Sequence, residues 1–268
     1  MGLYVAFLPQ SSARKGAYSK QSSLVHEQTI RDAVECSGAG LHSGAPVHLR
    51  ILSAPSGTGI VFRRTDLDGF EVEAVSRNVA RVSYATSLMK KGVLISTTEH
   101  LLSAFVGMGI DNAIVELDNL EVPILDGSAR PFVDLIRRAG IRKQRRARSF
   151  LKVLRPLELR EGNKFIGLYP ADRYSVSYTI DFPHPLIGRE SRALELTNGH
   201  YLAEIASART FGFLLVQGSP DRSGLLAVRS CHASQSACSR DRRKALRRTS
   251  RIILAGMTNC GMIKSPCL

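Results

Sequence analysis

The apolar residues of this chain recur with two different periods between residues 46 and 117, and this change of period constrains the fold more than any other feature. Short segments in which apolar and polar residues alternate predict half-buried strands. The segment 97–110 has helical spacing instead, with Leu101, Leu102, Phe105 and Met108 on one apolar face. Strands on both sides of an amphipathic helix indicate an α+β fold.

Four segments around this helix have strand character. They are PVHLRIL at 46–52, GTGIVFRRTDL at 57–67, GVLIS at 92–96 and DNAIVEL at 111–117. A turn at Asp126 and Gly127 then precedes a second helix, for which Ser128 is the expected N-cap. Strand-like text returns at 149–159, 164–170 and 174–182, and 199–213 predicts a short helix followed by a loop.

Composition divides the chain into four parts. Residues 142–148, RKQRRAR, are interpreted as a solvated link between two folded units. We therefore expect an N-terminal extension at 1–27, a first α+β domain at 28–143, a partial second domain at 148–217 and a tail at 218–268. The tail holds ten of the 37 Lys and Arg residues and four of the five cysteines, and neither strand nor helical period is visible after residue 217.

The net charge of +14 raises the hypothesis of a nucleic-acid-binding protein. The basic cluster in the tail has no interleaved aromatic residues and no recognisable binding motif, which argues against that hypothesis. The tail cysteines have regular spacings that match no common zinc pattern, so a zinc module is a second alternative and reduced, non-ligating thiols are the simpler interpretation. No stretch approaches the roughly 18 apolar residues that a membrane-spanning helix needs, which predicts a soluble protein.

The segment STTEHLLSA at 96–104 carries the strongest chemical signal. His100 lies in the first turn of the predicted helix, where the positive helix end favours the neutral imidazole that binds zinc. Glu99 precedes it, and its side chain leaves the helix about 100° away, so one residue could bind a metal ion and the other the metal's water. The alternative is a capping box between Ser96 and Glu99, with His100 an ordinary helix residue.

Two further segments hold candidate residues with open alternatives. His42 lies in the glycine-rich loop GAGLHSGAP, where it is either a ligand-binding or a plain turn residue. Thr210 and Phe211 belong to ARTFGF at 208–213, where a hydroxyl adjoins aromatic side chains that core packing explains equally well.

Taken together, these strings resemble a known family. The chain contains, in this order, the strings GLHSG, GIVFRRTDL, ISTTEHLLSAFVGMGIDNAIVEL, EVPILDGSARPF and ARTFGF. Their order and spacing resemble the bacterial UDP-3-O-acyl-N-acetylglucosamine deacetylases of lipid A synthesis over residues 28–217. The resemblance implies two similar α+β domains whose helices pack between two sheets, a β-α-α-β sandwich. It also implies zinc-dependent removal of an N-acetyl group from a UDP-sugar, in a cytoplasmic enzyme that we expect to be a monomer, with no nucleic-acid partner.

The resemblance assigns roles to individual residues. His100 matches a zinc ligand and Glu99 the general base. Thr210 matches a hydroxyl that stabilises the oxyanion, Phe211 lies beside the substrate, and His42 matches a loop histidine near the entrance of the site.

The sequence departs from the family pattern near Gly218. The family's later HKxxD motif and its GH segment, which supply the other two zinc ligands, a lysine and an acid histidine, are absent; the residue four places after His232 is Ser236. We therefore expect an incomplete second domain, an incomplete zinc site and impaired activity. A shifted reading frame explains such an abrupt change of composition, and a genuine exchange of the C-terminal region is the alternative.

Overall fold

The computed structural model describes residues 2–5, 25–81, 84–182, 187–215 and 223–227, and shows a mixed α+β fold, as the change of period predicts. The strands are β1 (Gly2–Val5), β2 (His26–Ile30), β3 (Val34–Ala39), β4 (Pro46–Ser53), β5 (Ile60–Arg64), β6 (Phe70–Glu73), β7 (Val79–Arg81), β8 (Ser87–Lys90), β9 (Val93–Ile95), β10 (Ala113–Leu117), β11 (Ile141–Ala147), β12 (Leu157–Glu161), β13 (Lys164–Leu168), β14 (Ser175–Phe182), β15 (Gly188–Glu195), β16 (Phe211–Leu215) and β17 (Ser223–Ala227). The helices are α1 (Glu99–Met108), α2 (Arg130–Ala139) and the single turn α3 (Asn198–His200), which a π-helical turn at Tyr201–Ile205 extends.

The first five-stranded sheet has the order β3-β4-β10-β5-β6. Its central strand β10 runs antiparallel to β4 and parallel to β5, so that Val115 lies between Ile51 and Phe62. Alternate residues of β4 are buried, which is the pattern that places one face of a strand on a core.

The second five-stranded sheet has the order β12-β13-β1-β14-β15. Strand β1 occupies its centre, parallel to β13 and antiparallel to β14. In β14, Val176, Tyr178 and Ile180 are buried, so this strand also turns one face to the interior.

Helices α1 and α2 contact each other and bury their apolar faces. Phe105 and Phe132, one from each helix, are almost fully buried. They belong to one hydrophobic cluster that includes Leu49 of the first sheet and Tyr178 of the second. This cluster holds α1 in place, and α1 carries Glu99 and His100. The sandwich order and the division into two similar domains stay predictions.

Most of residues 142–148 are exposed, as a solvated segment should be, but they belong to a paired strand, and a boundary between two units at this point stays a prediction. Residues 141–147 form β11, which pairs with β2 and places Ile141 opposite Ile30. Ion pairs accommodate part of the charge run, with 2.6 Å from Arg148 Nη2 to Asp111 Oδ2 and 3.5 Å from Arg146 Nε to Glu27 Oε1. A strand can carry several charges on its solvated side because only its backbone pairing and its inward residues need satisfying.

Three other segments differ from the sequence prediction. Residues 150–156 are not a strand, and Phe150, Leu151 and Leu154 are largely exposed. The loop predicted after the helix at 198–205 is followed by β16, which pairs with β17. Since β17 lies beyond residue 217, the chain keeps strand structure there despite its composition; the rest of the tail lies outside the described residues. Among the residues that the structure describes, no helix has the length and apolar composition required to span a bilayer.

Candidate functional site

Glu99 and His100 begin α1, as predicted, but the capping box does not form. Ser96 Oγ lies 3.1 Å from Ser87 Oγ instead of accepting from the helix. The Glu99 carboxylate accepts a hydrogen bond of 2.9 Å from the backbone N–H of Thr86, just before β8. This bond connects the Glu99 carboxylate to the segment before β8.

His100 is a buried imidazole with an unsatisfied ring nitrogen. The residue is 4% exposed, and within the described part of the chain its Nδ1 atom has no hydrogen-bond partner. Burial lowers the pKa of His100 to about 4, against a small opposing influence of Asp126, so the ring is neutral at pH 7. An unsatisfied buried polar atom costs about 1–3 kcal/mol, which a bound ligand would offset.

The electrostatic surroundings of Glu99 come from several segments. Burial raises the pKa of the Glu99 carboxyl, and the backbone N–H groups of Glu99 and Thr86 partly oppose this rise. His42 also lowers this pKa and Glu121 raises it. Glu121 accepts hydrogen bonds from the N–H of His42 and from Thr97 Oγ1, just before α1. His42 itself is exposed. The structure thus brings the His42 loop to the buried start of α1.

The turn after Ile124 connects this region to Thr210. Ser128 Oγ donates to Asp126 Oδ1 at 2.7 Å and accepts from the N–H of Arg130 at 3.2 Å, although α2 begins two residues after Ser128. The N–H of Thr210 donates to the carbonyl of Gly127 at 2.9 Å. Asp126 is close enough to influence the pKa of His100, so both His100 and Thr210 adjoin this turn.

Phe211 is placed only through its backbone, as the first residue of β16. Hydrogen bonds thus connect the His42 loop, through Glu121, to the turn before Glu99 and His100, and they connect Thr210 to the 126–127 turn. The Phe211 side chain is outside the described part of the chain.

The sequence reasoning missed Glu121, a carboxylate that is 1% exposed. It accepts hydrogen bonds from Thr97 Oγ1 at 2.7 Å, from Ser43 Oγ at 2.8 Å, and from the N–H groups of Ser43 and His42 at 3.0 and 3.1 Å. These bonds outweigh burial and hold the pKa of Glu121 below its ordinary value. No local pattern marks Glu121, because its partners come from segments far away in the sequence.

A family model described as LpxC, UDP-3-O-acyl N-acetylglycosamine deacetylase, matches residues 27–232. The chain belongs to this family. The LpxC match extends past residue 217, where the resemblance was expected to end. It therefore includes β17 and the first residues of the basic tail.

Curated relatives carry the same name as the family. UDP-3-O-acyl-N-acetylglucosamine deacetylase of Solibacter usitatus is 57% identical over 187 residues, which cover 70% of this chain and 63% of that protein. The proteins of that name from Marinobacter nauticus and Cellvibrio japonicus are 44% and 41% identical over 194 residues, covering 71% of this chain and 64% of each relative. The chain thus spans less than two thirds of the length of these LpxC relatives.

The described residues supply one well-formed metal donor to the candidate site. His100 offers a neutral, buried imidazole, the form that zinc binds. Within the described ranges, no group of three or more His, Cys, Asp or Glu side chains is arranged to hold a metal ion. Because catalytic zinc sites use three protein ligands, the described part of this LpxC chain fits one position of such a site and leaves the others unfilled.

Proposed function

We propose that the region around Glu99 and His100 is the site of an LpxC-type deacetylase that hydrolyses the N-acetyl group of UDP-3-O-acyl-N-acetylglucosamine, and that this chain is impaired in that reaction. The observation that carries the proposal is the buried Nδ1 of His100, which has no hydrogen-bond partner among the described residues, in the residue next to the buried Glu99 carboxylate. Such a pair is costly for stability and useful for hydrolysis. The relatives' shared name supplies the substrate class.

His100 would hold one coordination position of a zinc ion. When bound by a full set of ligands, zinc lowers the pKa of a bound water to about 7 and polarises a carbonyl oxygen. The remaining ligands would come from the family's HKxxD motif, which this sequence lacks. The chain should therefore bind zinc weakly.

Glu99 would act as the proton acceptor for the attacking water. Its buried position raises the pKa of the carboxyl, which strengthens its carboxylate form as a base. The hydrogen bond from the Thr86 N–H would orient the carboxylate.

The other predicted residues would orient the substrate. The Thr210 hydroxyl, on the segment that Gly127 anchors, would donate a hydrogen bond to the developing oxyanion. Phe211 and the exposed His42 would flank the sugar and acyl parts. We further propose a monomeric cytoplasmic protein, with the two similar domains and the β-α-α-β sandwich of the family.

A chimera separates the two halves of this proposal. Residues 1–217 are joined to the C-terminal third of the Solibacter usitatus relative, and zinc content and acetate release are measured for the chimera and for the unmodified chain. We expect the unmodified chain to bind zinc substoichiometrically and to release no acetate. The chimera should bind one zinc ion and release acetate.

Substitutions in the chimera then test the site residues. Glu99→Gln should lower kcat by about 10²–10⁴-fold with little effect on zinc content, since it removes only the proton acceptor. Glu71→Gln, at an exposed carboxylate that pairs with Arg63, is the matched control and should be neutral. Stoichiometric zinc and turnover by the unmodified chain would refute its impairment, and full activity of Glu99→Gln would refute the assigned site.

A further inference from the structure

Backbone hydrogen bonds of the residues around Glu121 hold it between two segments of the candidate site. The N–H of Ser96 donates to the carbonyl of Leu120 at 2.8 Å, and the N–H of Val122 donates to the carbonyl of Ser96 at 3.0 Å. On its other side, the N–H of Ile124 donates to the carbonyl of Ala39. The strand-like segment 120–124 thus lies between the turn that precedes α1 and the loop that carries His42.

The side chain of Glu121 connects these two segments. One donor, Thr97 Oγ1, comes from the turn two residues before Glu99, and three donors come from His42 and Ser43. Among the described residues, no Lys or Arg forms an ion pair with this carboxylate. Its negative charge is therefore stabilised by hydrogen bonds from the two site segments.

The surrounding backbone is adapted to this contact. Thr97 has φ of +58°, a left-handed conformation that is unfavourable for a β-branched residue and persists only where other contacts determine it. Gly40 lies so close that a Cβ there would overlap Glu121 Oε2 and Ser43 Oγ. A buried carboxylate is expensive, and an apolar side chain of similar size often stabilises a protein as well or better. What the carboxylate adds is a fixed geometry between its donors.

We propose that Glu121 is a positioning residue, which fixes the His42 loop against the turn that leads into Glu99 and His100. The position of the His42 loop relative to Glu99 then depends on Glu121, which would act through that loop. The importance of this geometry for hydrolysis rests on the proposed function, whereas the geometry itself is independent of it.

NMR spectroscopy on the unmodified chain tests the proposal without zinc or turnover. In the wild-type chain, Glu99→Gln should shift the ring resonances of His42, because the charge of Glu99 interacts electrostatically with His42. In a Glu121→Gln background the same change should leave the His42 ring resonances unmoved. Amide hydrogen exchange of His42 and Ser43 should accelerate about tenfold or more in Glu121→Gln, while Leu49 in β4 keeps its rate.

Thr97 supplies a second pair of variants in case Glu121→Gln does not fold. Thr97→Val keeps the branched shape and removes the donor, so it should accelerate exchange at 42–43, and Thr97→Ser should restore the wild-type rate. Two results would overturn the proposal. Unchanged exchange at 42–43 in Thr97→Val would mean that Thr97 and the His42 loop are not coupled. Equal acceleration at Leu49 would mean that the substitution lowers stability in general. An inactive chimera would refute the proposed function alone, because the NMR measurements on the unmodified chain do not depend on activity.

Discussion

At the scale of single residues, the burial of His100 makes folding stability depend on pH. Burial lowers its pKa from 6.5 to about 4, so between these values the unfolded chain binds more protons at this residue than the folded chain does. The stability that His100 contributes is thus fully present above pH 6.5 and is lost as pH falls toward 4. A difference of this size corresponds to about 3 kcal/mol.

We therefore expect the free energy of unfolding to fall by about 3 kcal/mol more between pH 7 and pH 4 in the wild-type chain than in His100→Asn. Urea unfolding at a series of pH values, with EDTA present so that no metal contributes, measures this difference. Parallel pH profiles for the two proteins would show that His100 is not buried in its neutral form. Glu99 is common to both proteins, so its own raised pKa cancels in the comparison.

Residues of the site differ in how well the sequence predicts them. Glu99 and His100 are found because they stand together in a helical segment that is easily recognised. Glu121 is not, because its role depends on the folding of residues 42–43 and 97 around it, and an isolated Glu in EVPIL has no unusual neighbour. His42 is connected to this region through the Glu121 carboxylate, and Thr210 through a backbone bond to Gly127, so both connections join segments that are distant in the sequence.

At the scale of elements, α1 docks against the π-helical turn through a contact that requires glycine. Tyr201 is 2% exposed, its hydroxyl lies 3.0 Å from Ser103 Oγ, and its ring lies on Gly107, where an added Cβ would overlap ring atoms. Since both Ser103 and Gly107 lie in α1, this contact fixes the helix that carries His100 against residues 201–205.

Gly107→Ala should destabilise the chain by about 1–3 kcal/mol, because the overlap with the Tyr201 ring outweighs the roughly 1 kcal/mol that alanine gains in helix propensity. Gly199→Ala, in α3, is the control: a Cβ there would have only ordinary contact with Thr197 Oγ1 at 3.9 Å, so no loss is expected. Urea denaturation of both variants measures the difference. Equal stability of the two would contradict the docking contact.

The sequence predicts those elements in which apolar residues recur with the period of a strand or of a helix. Strands β4, β10 and β14 and helix α1 each have a buried face, and their alternation or helical spacing is visible without the fold. Strand β11 has no such signal, because its residues are mostly charged and its pairing with β2 comes from the backbone. The opposite case is segment 149–156, which is rich in Phe and Leu and is predicted to be a strand but is not one. Apolar side chains alone do not provide a neighbouring strand for backbone pairing.

At the scale of the whole molecule, the two five-stranded sheets share an arrangement in which one central strand lies between two antiparallel hairpins. In the first sheet the centre is β10, antiparallel to β4 and parallel to β5. In the second sheet the centre is β1, parallel to β13 and antiparallel to β14. Relative to its two flanking hairpins, the central strand of the second sheet thus runs in the opposite direction to that of the first sheet. It is formed by residues 2–5. Residues 2–5 of the expected N-terminal extension are thus part of the second sheet.

If β1 completes the second sheet, its loss should expose two strand edges at once. Tyr4 pairs with Phe165 of β13 and with Thr179 of β14, so a proline at this position removes an N–H from the middle of the sheet and disfavours the central strand. We expect Tyr4→Pro to lower the free energy of unfolding by about 3 kcal/mol or more and to promote self-association, since the unpaired edges of β13 and β14 become templates for other chains. Tyr4→Ile keeps the amide and a strand-forming side chain, so it serves as the matched control. Urea unfolding measures the stability of the two variants, and sedimentation velocity measures their self-association. If Tyr4→Pro is as stable and as little associated as Tyr4→Ile, β1 does not hold the second sheet together.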